Sequence, residues 1–341
     1  MQFGLYAPVP HVTVGAPAID ASVAGAFAPL PEHVPDPAYA LSHEVLLAAD
    51  AAGFDIVLFA ERHLGADMEA WLLAGAIAAQ TQRIKSMVAV HPGLWHPVMV
   101  AKMAATLDRI AKGRMCINLV TGWNVEEHRM FGGDILLGSE DRYRRAEEFV
   151  HVLRGMWRET PFTYKGRIFD IEAAELRLKP ATGEGPEIFT ASRSARGLDM
   201  VAEVGDWWFL DYDKEASSTE EVMDSLRGSI ATMDEKAARL GRKVRYALNP
   251  FVAFGPSRDE AIAHARRLLV PSGPDVDIRK LEQRIGPAMK TGCVGTPDQV
   301  RAQMRVMAGM GIEFLLLKLV PTVEAVEEIR RELIVPLRDQ T

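Results

Sequence analysis

The chain has 341 residues, 48% hydrophobic and 25% charged, with a formal net charge of -7; this is the balance of an ordinary globular protein, and without any Lys/Arg run or basic stripe it argues against nucleic-acid binding. No apolar run approaches the roughly 20 residues of a membrane span, and the N-terminal MQFGLYAPVPH has neither the basic nor the apolar region of a signal peptide, so a cytoplasmic protein without membrane contact is expected. The only cysteines, Cys116 and Cys293, form no CxxC pair and exclude a disulfide scaffold.

Strands and helices alternate along the chain. QFGLYAP (2–8) reads as a short strand, and 38–53 has helical spacing ending on Gly53, a C-cap candidate. DIVLFA (55–60) is a strand, 68–80 a helix, IKSMVAVHPG (84–93) a strand ended by Pro-Gly, and 97–114 a helix entered on Pro97. RMCINLV (114–120) is the next strand, unusual in placing the amide of Asn118 in an apolar run. Residues 139–157 form a helix with a Ser N-cap, and 162–171 a hairpin turning at Lys165-Gly166. Strands at 187–191, 206–211, 244–255 and 312–319 then alternate with helices at 193–204, 218–241, 257–269, 295–311 and 323–333. Eight strands, each followed by a helix and continuously apolar rather than alternating, indicate a parallel sheet covered on both faces and closed as a (β/α)8 TIM barrel. The rival doubly wound sheet lacks GxGxxG and GxxxxGK[ST]. The chain reads as one domain over 1–341, with insertions at the C-terminal face; the irregular stretch 270–294 is an insertion and a candidate lid.

Active sites of such barrels sit at the C-terminal ends of the strands. Standing there are Tyr6 and His11, Glu61 to His63, His91, Trp95 and His96, Asn118, Thr121, Trp123 and Glu127, Ser192 to Ser194, Asp211 and Tyr212, Asn249 and Phe251, and Lys318. HExxH and GxSxG are absent, and no pair of histidines has convincing metal-ligand spacing, so no metal is expected. The segment TASRSARG (190–197) joins a strand to a helix through hydroxyl residues, and the N–H groups there, with Arg193, suit a phosphate. An ordinary Ser N-cap explains the same pattern. Asn118 fits either a structural hydrogen bond or a ligand contact.

Six stretches in order, HPGLWHPVMVAKMAATLDRIAKGR (91–114), NLVTGW (118–123), DRYRRAEEFVHVLRGMW (141–157), FTYKGRIFDI (162–171), EIFTASRSARGLDMVAEVGDWWF (187–209) and VGTPDQVRAQMRVMAGMGIEFLLL (294–317), resemble the bacterial luciferase-like flavin monooxygenases of the two-component branch. The resemblance implies reduced FMN (FMNH2) in the barrel mouth, delivered by a separate NAD(P)H-dependent FMN reductase. With O2 as co-substrate, reacting at C4a or N5 of the ring, one oxygen is inserted into a small molecule. It places Asn118 near the reactive edge of the flavin, Phe59, Ala60 and Glu61 beside the ring, Thr121 and Glu127 on the following loop, and Arg142 and Tyr143 on the cofactor. Ser192, Arg193 and Ser194 fall on its phosphate. His91 and His11 become proton donors. Relatives form homodimers or homotetramers.

Alkanesulfonate enzymes of the family carry Arg-x-His on strand 7, where this chain has Asn249-Pro250-Phe251. Burying a sulfonate without that arginine is expensive. The Asn-x-Phe and the HPGLWHP loop are closer to the dimethylsulfone branch, so a small organosulfur substrate of sulfone type, with C–S cleavage, is expected. An alkanesulfonate, pyrimidine-type N5 chemistry and, from a different class, a deazaflavin (F420)-dependent oxidoreductase are the alternatives.

Overall fold

The computed structural model describes residues 1–9, 33, 36–63, 67–122, 125–132, 138–269, 286 and 289–339. His11 and most of the candidate lid 270–294 therefore lie outside the described residues.

Eight parallel strands close into a barrel: β1 (Gln2–Tyr6), β2 (Ile56–Phe59), β3 (Lys85–Val90), β4 (Met115–Leu119), β7 (Glu187–Ala191), β8 (Trp207–Leu210), β9 (Arg245–Leu248) and β12 (Ile312–Leu317). β12 lies between β1 and β9 and completes the ring. The expected (β/α)8 architecture is thus observed. The hairpin β5 (Phe162–Lys165) and β6 (Asp170–Ala174) stands outside the ring, and β10 (Ala253–Phe254) pairs only with β11 (Val294–Gly295).

The helices are α1 (Pro37–Ala52), α2 (Ala70–Ala78), α3 (Pro97–Ile110), α4 (Val125–Met130), α5 (Ser139–Arg158), α6 (Ala195–Val204), α7 (Thr219–Arg239), α8 (Arg258–Leu269), α9 (Pro297–Gly309), α10 (Val323–Ile329) and α11 (Val335–Arg338), the last two joined by a π-helical turn. Local chemistry starts and stops them. The carboxylate of Asp36 accepts the N–H groups of Ala38 and Tyr39, and Gly53 ends α1 at φ 89°, a left-handed conformation that favours glycine. Thr296 and Gln299 cap α9 reciprocally as a capping box.

Two expectations are corrected. Residues 244–255 do not form one strand: β9 stops at Leu248, and Asn249 to Val252 turn away before β10, because Pro250 supplies no ladder N–H. The cap of α5 is Gly138 and not Ser139, which occupies the first turn.

Period-two alternation sends every second strand residue inward, and the interior falls into three levels. At the N-terminal end, Glu187 accepts hydrogen bonds from Lys85 Nζ (3.0 Å), Arg245 Nη1 (3.2 Å) and Trp207 Nε1 (3.0 Å), while Arg245 also reaches Glu313 (2.8 Å). The Arg245 guanidinium lies 3.7 Å from the Trp207 ring centroid, a cation–π contact. Burial works against ionisation of Glu187, but Lys85 and Arg245 outweigh it and hold the carboxyl below its usual range. The middle level is apolar: Phe189 stacks on Trp207 at 4.9 Å, and Phe314 meets Phe189 edge-on at 5.8 Å. The upper level, at the C-terminal mouth, is where the chain spends Tyr6, Asn118 and Asn249.

The aromatic plug needs Gly4. A Cβ there would lie 2.5 Å from Phe314 Cζ and 2.7 Å from the Ile56 carbonyl oxygen, and the latter is backbone that cannot turn aside. Gly4→Ala should therefore destabilise the fold by about 1–3 kcal/mol through overpacking, read as a lowered urea midpoint with unchanged m-value.

Candidate active site

A cavity of about 340 Å³ opens at the C-terminal ends of the barrel strands. Its walls are the side chains of Leu58, Leu119, Val120, Phe209 and Leu316 with Ala191 and Gly122, and its polar groups are Tyr6, Asn118, Thr121 and Asn249. Among the described residues, no ionised side chain lines it. Asn118 is an inward position of β4, between Ala89 of β3 and Phe189 of β7. Its amide makes no hydrogen bond to protein among the described residues, so the structural alternative for this asparagine has no partner here. An amide held in an apolar strand without one is costly unless a ligand or water supplies it.

Beside the cavity, the chain passes from Ala191 into the loop before α6. Tyr143, buried on α5, has its hydroxyl 3.2 Å from Ser192 Oγ and accepts from Ser194 Oγ at 3.0 Å. Ser194 is the N-cap of α6 and accepts the Gly197 N–H at 3.1 Å. A Cβ at Gly197 would fall 1.8 Å from Ser192 Oγ and 2.8 Å from Tyr143 Cζ, so the cradle requires glycine there. Burial opposes ionisation of Tyr143, but the bonds from Ser192 and Ser194 and the charge of Arg142 outweigh it and set the phenol below its ordinary value. Arg142 lies 5.5 Å from the Tyr143 ring centroid, and its buried Nε makes no hydrogen bond. Three hydroxyls linked by two mutual hydrogen bonds, which leave one O–H to spare, thus stand at a helix N-terminus near an unsatisfied guanidinium N–H, a setting that suits a phosphate. Arg196 locks the two sides together: it holds Glu147 through Nη1 (2.5 Å) and Nη2 (2.7 Å) and reaches Glu140 at 3.1 Å. Arg193 does not join this cradle. Its half-exposed side chain pairs with Asp211 and lines, together with Ser192, Trp208, Tyr212 and Lys214, a second cavity of about 420 Å³.

Around the ends of β2 to β4 lies a buried polar cluster. Glu61 accepts the Ala70 N–H at 3.1 Å and stands 3.8 Å from His63 Nδ1. The His63 ring meets Phe131 at 4.9 Å and His91 at 5.9 Å, both edge-on. His91 thus packs into this cluster and is not a lining residue of the cavity. Glu127 sits on α4 rather than on a loop, buried and 3.8 Å from Arg62 Nε. Phe59 points outward into the layer between sheet and helices, packed with the core there, and the inward neighbour that lines the cavity is Leu58. Ala60 is half-buried against the same outer layer. Thr121 lines the cavity as its position implied.

One contributor carries no sequence signal. His128, buried on α4, wedges between two loops: a Cβ on Gly93 would lie 3.0 Å from its Nε2, and one on Gly122 would lie 2.9 Å from its Cε1. Gly122 has φ 89° and lines the cavity, so His128 braces the active-site turn from behind. A histidine in a short helix two elements away from Gly93 has no spacing that reveals this. Tyr6 and Asn249, which meet across the mouth, were visible only as separate strand-end residues. Among the described residues, no group of three or more His, Cys, Asp or Glu is placed to hold a metal ion, and no helix is long and apolar enough to cross a membrane. Cys116 is fully buried in the barrel interior, where desolvation pushes its thiol well up and leaves it unreactive.

The comparisons with known proteins agree with this geometry. The family model of luciferase-like monooxygenases matches residues 1–313. The FMNH2-dependent dimethylsulfone monooxygenase of Pseudomonas fluorescens (strain Pf0-1) is 29% identical over 297 residues, 79% of each chain. The enzyme of the same description from Pseudomonas putida is 26% identical over 320 residues, 85% of this chain and 86% of that one. The EDTA monooxygenase of Chelativorans sp. BNC1 superposes with a TM-score of 0.75 over all of this chain and 94% of its own, at 16% identity, a likeness of fold alone. The chain belongs to the luciferase-like monooxygenase family.

The cluster around Glu61 has a pH consequence. Burial, reinforced by Glu69 and Asp67 and opposed by the Ala70 N–H, raises Glu61 from its ordinary 4.5 to about 7. A carboxyl raised on folding contributes stability that is fully present below about pH 4.5 and is lost as pH rises through about 7. Glu61→Gln keeps an acceptor for Ala70 and removes the titration. Relative to it, the wild type should lose on the order of 1–3 kcal/mol between those pH values, measured as the difference between the two urea-unfolding curves across the range.

Proposed function

We propose that the chain is a two-component FMNH2-dependent monooxygenase that uses O2 to oxygenate a small, neutral organosulfur substrate of sulfone type and cleaves its C–S bond. The observation that carries this reading is a cavity at the strand ends whose lining, among the described residues, is apolar or neutral and polar, with the hydroxyl cluster of Tyr143, Ser192 and Ser194 on the loop that follows its lining residue Ala191. The names of the Pseudomonas relatives support the same substrate class.

The residues present fit FMN. The cradle supplies donors for its phosphate, and the orphaned Arg142 Nε gains a partner there. When bound, the reduced flavin supplies the electrons that activate O2 for transfer of one oxygen atom. The chain's own residues bind, orient and exclude water. Tyr143, Ser192 and Ser194 anchor the phosphate end. Asn118 and Thr121 present hydrogen-bonding groups inside the cavity. Leu58, Phe209 and Leu316 keep it dry, which strengthens each of those bonds. The Gly122 turn, braced by His128, fixes one wall. With dimethylsulfone, the reaction consumes one O2 and one reduced flavin and yields methanesulfinic acid, formaldehyde, oxidised FMN and water. An NAD(P)H-dependent FMN reductase is the partner that renews the reduced cofactor. In this reading residues 1–341 act as one cytoplasmic domain, assembled as a homodimer or homotetramer.

Two measurements test the proposal. Tyr143→Phe should weaken FMN binding about tenfold, the loss of roughly 1.4 kcal/mol from one hydrogen bond to a charged group, and leave riboflavin binding unchanged, as titrations with each flavin will show. Coupled to a flavin reductase with NADH, FMN and O2, the purified protein should convert dimethylsulfone to formaldehyde and sulfinate in equal amounts. Turnover of an alkanesulfonate instead, or binding of deazaflavin F420 with none of FMN, would overturn the reading.

A further inference from the structure

The mouth of the barrel carries a contact between strands that are not neighbours. β12 separates β1 from β9. Asn249, one residue beyond β9, nevertheless donates from Nδ2 to the Tyr6 hydroxyl oxygen at 2.6 Å, joining positions 243 residues apart over the end of the strand between them. Both side chains line the cavity, and so does Leu316 of that intervening strand.

The bond leaves defined capacity unused. The Tyr6 oxygen accepts from Asn249, and no acceptor for the Tyr6 proton exists among the described residues. A phenol carries one donor and a primary amide two. The pair therefore offers one O–H and one N–H, side by side, to whatever enters the cavity. Desolvation keeps the phenol neutral, well above the physiological range, so the O–H remains a donor. Lys318 stands 5.4 Å from the Tyr6 ring centroid but is not a lining residue. Among the described residues, the cavity wall thus provides paired neutral donors and no charge.

We infer that Tyr6 and Asn249 form the specificity-determining clamp of this enzyme, donating together to the two oxygens of a neutral sulfonyl group. The inference rests on the proposed function and names the atoms that read the substrate. Two adjacent acceptor oxygens on one tetrahedral sulfur match two adjacent donors. A sulfonate adds a third oxygen and a full negative charge, and among the described residues the cavity wall has no cation to balance it. A thioether has no oxygen to occupy the donors and leaves both unpaired. A contact already made to the bound sulfone contributes chiefly to binding, which the kinetics below separate from any part in the chemical step.

The test is steady-state kinetics of wild type, Tyr6→Phe and Asn249→Leu with a flavin reductase, FMN and dimethylsulfone, together with FMN titration of each protein. Tyr6→Phe deletes one hydroxyl and retains the ring, and an unchanged FMN Kd certifies its fold. The clamp predicts that KM for dimethylsulfone rises at least tenfold in each variant, while kcat falls less than threefold and FMN affinity stays constant. Wild-type turnover of dimethylsulfone with unaltered KM in Tyr6→Phe overturns the clamp and leaves the proposed function standing. Weaker FMN binding with unaltered KM also overturns it, by assigning the pair to the flavin. Absence of sulfone turnover in the wild type itself overturns both readings.

Discussion

Closure of the barrel around a solid aromatic plug is the constraint from which the rest of the structure follows. Phe189, Trp207 and Phe314 fill the axis at mid-height, and they fit because Gly4 of β1 presents no side chain there. Below them, Glu187, Lys85, Arg245 and Glu313 seal the N-terminal end with ion pairs. An axis filled over two of its three levels leaves its C-terminal mouth open to a ligand. The barrel is therefore a rigid floor, and the chemistry is confined to the strand ends and the loops above them.

Charge is distributed by level and by radius. Ion pairs occupy the bottom of the barrel and the outer surfaces, where Arg196 fastens α5 to α6. The buried Glu61, His91, Glu127 and His128 and the half-buried His63 at the mouth stand behind the strand ends and are not among the described residues of the cavity wall. What faces the cavity is phenol, amide and hydroxyl. In a space of low dielectric, neutral donors orient a ligand without the desolvation cost that a buried charge imposes. The proposed anion site lies apart from that space, where Tyr143, Ser192 and Ser194 meet the N-terminus of α6. The same separation suits a cofactor with a charged tail and a largely neutral ring, and a substrate without charge.

The loops are held by contacts that cross elements distant in sequence. His128 presses on Gly93 and Gly122, which follow different strands. A Cβ at Gly122 would collide with the imidazole, and one at Gly93 would crowd it and strike the end of the Arg145 side chain, so small residues are needed on both sides of the histidine.

The sequence by itself determined the sequence of elements, since helix caps, apolar periodicity and breakers act within a few residues: Asp36 and Gly53 bound α1, and Thr296-Pro297 opens α9. It also singled out Asn118, an amide in an apolar strand, and the hydroxyl run before α6. Only the tertiary structure decided which way each strand faces. In a continuously apolar strand such as IVLF both faces are hydrophobic, so nothing local tells that Leu58 turns inward and Phe59 outward. Arg193, adjacent to two cradle serines, is drawn away by Asp211, one strand over. The meeting of Tyr6 with Asn249 arises from ring closure, which brings the first and seventh barrel strands to either side of the eighth. Pairings of that kind depend on the stagger of the whole barrel, a property that no segment of the chain carries alone.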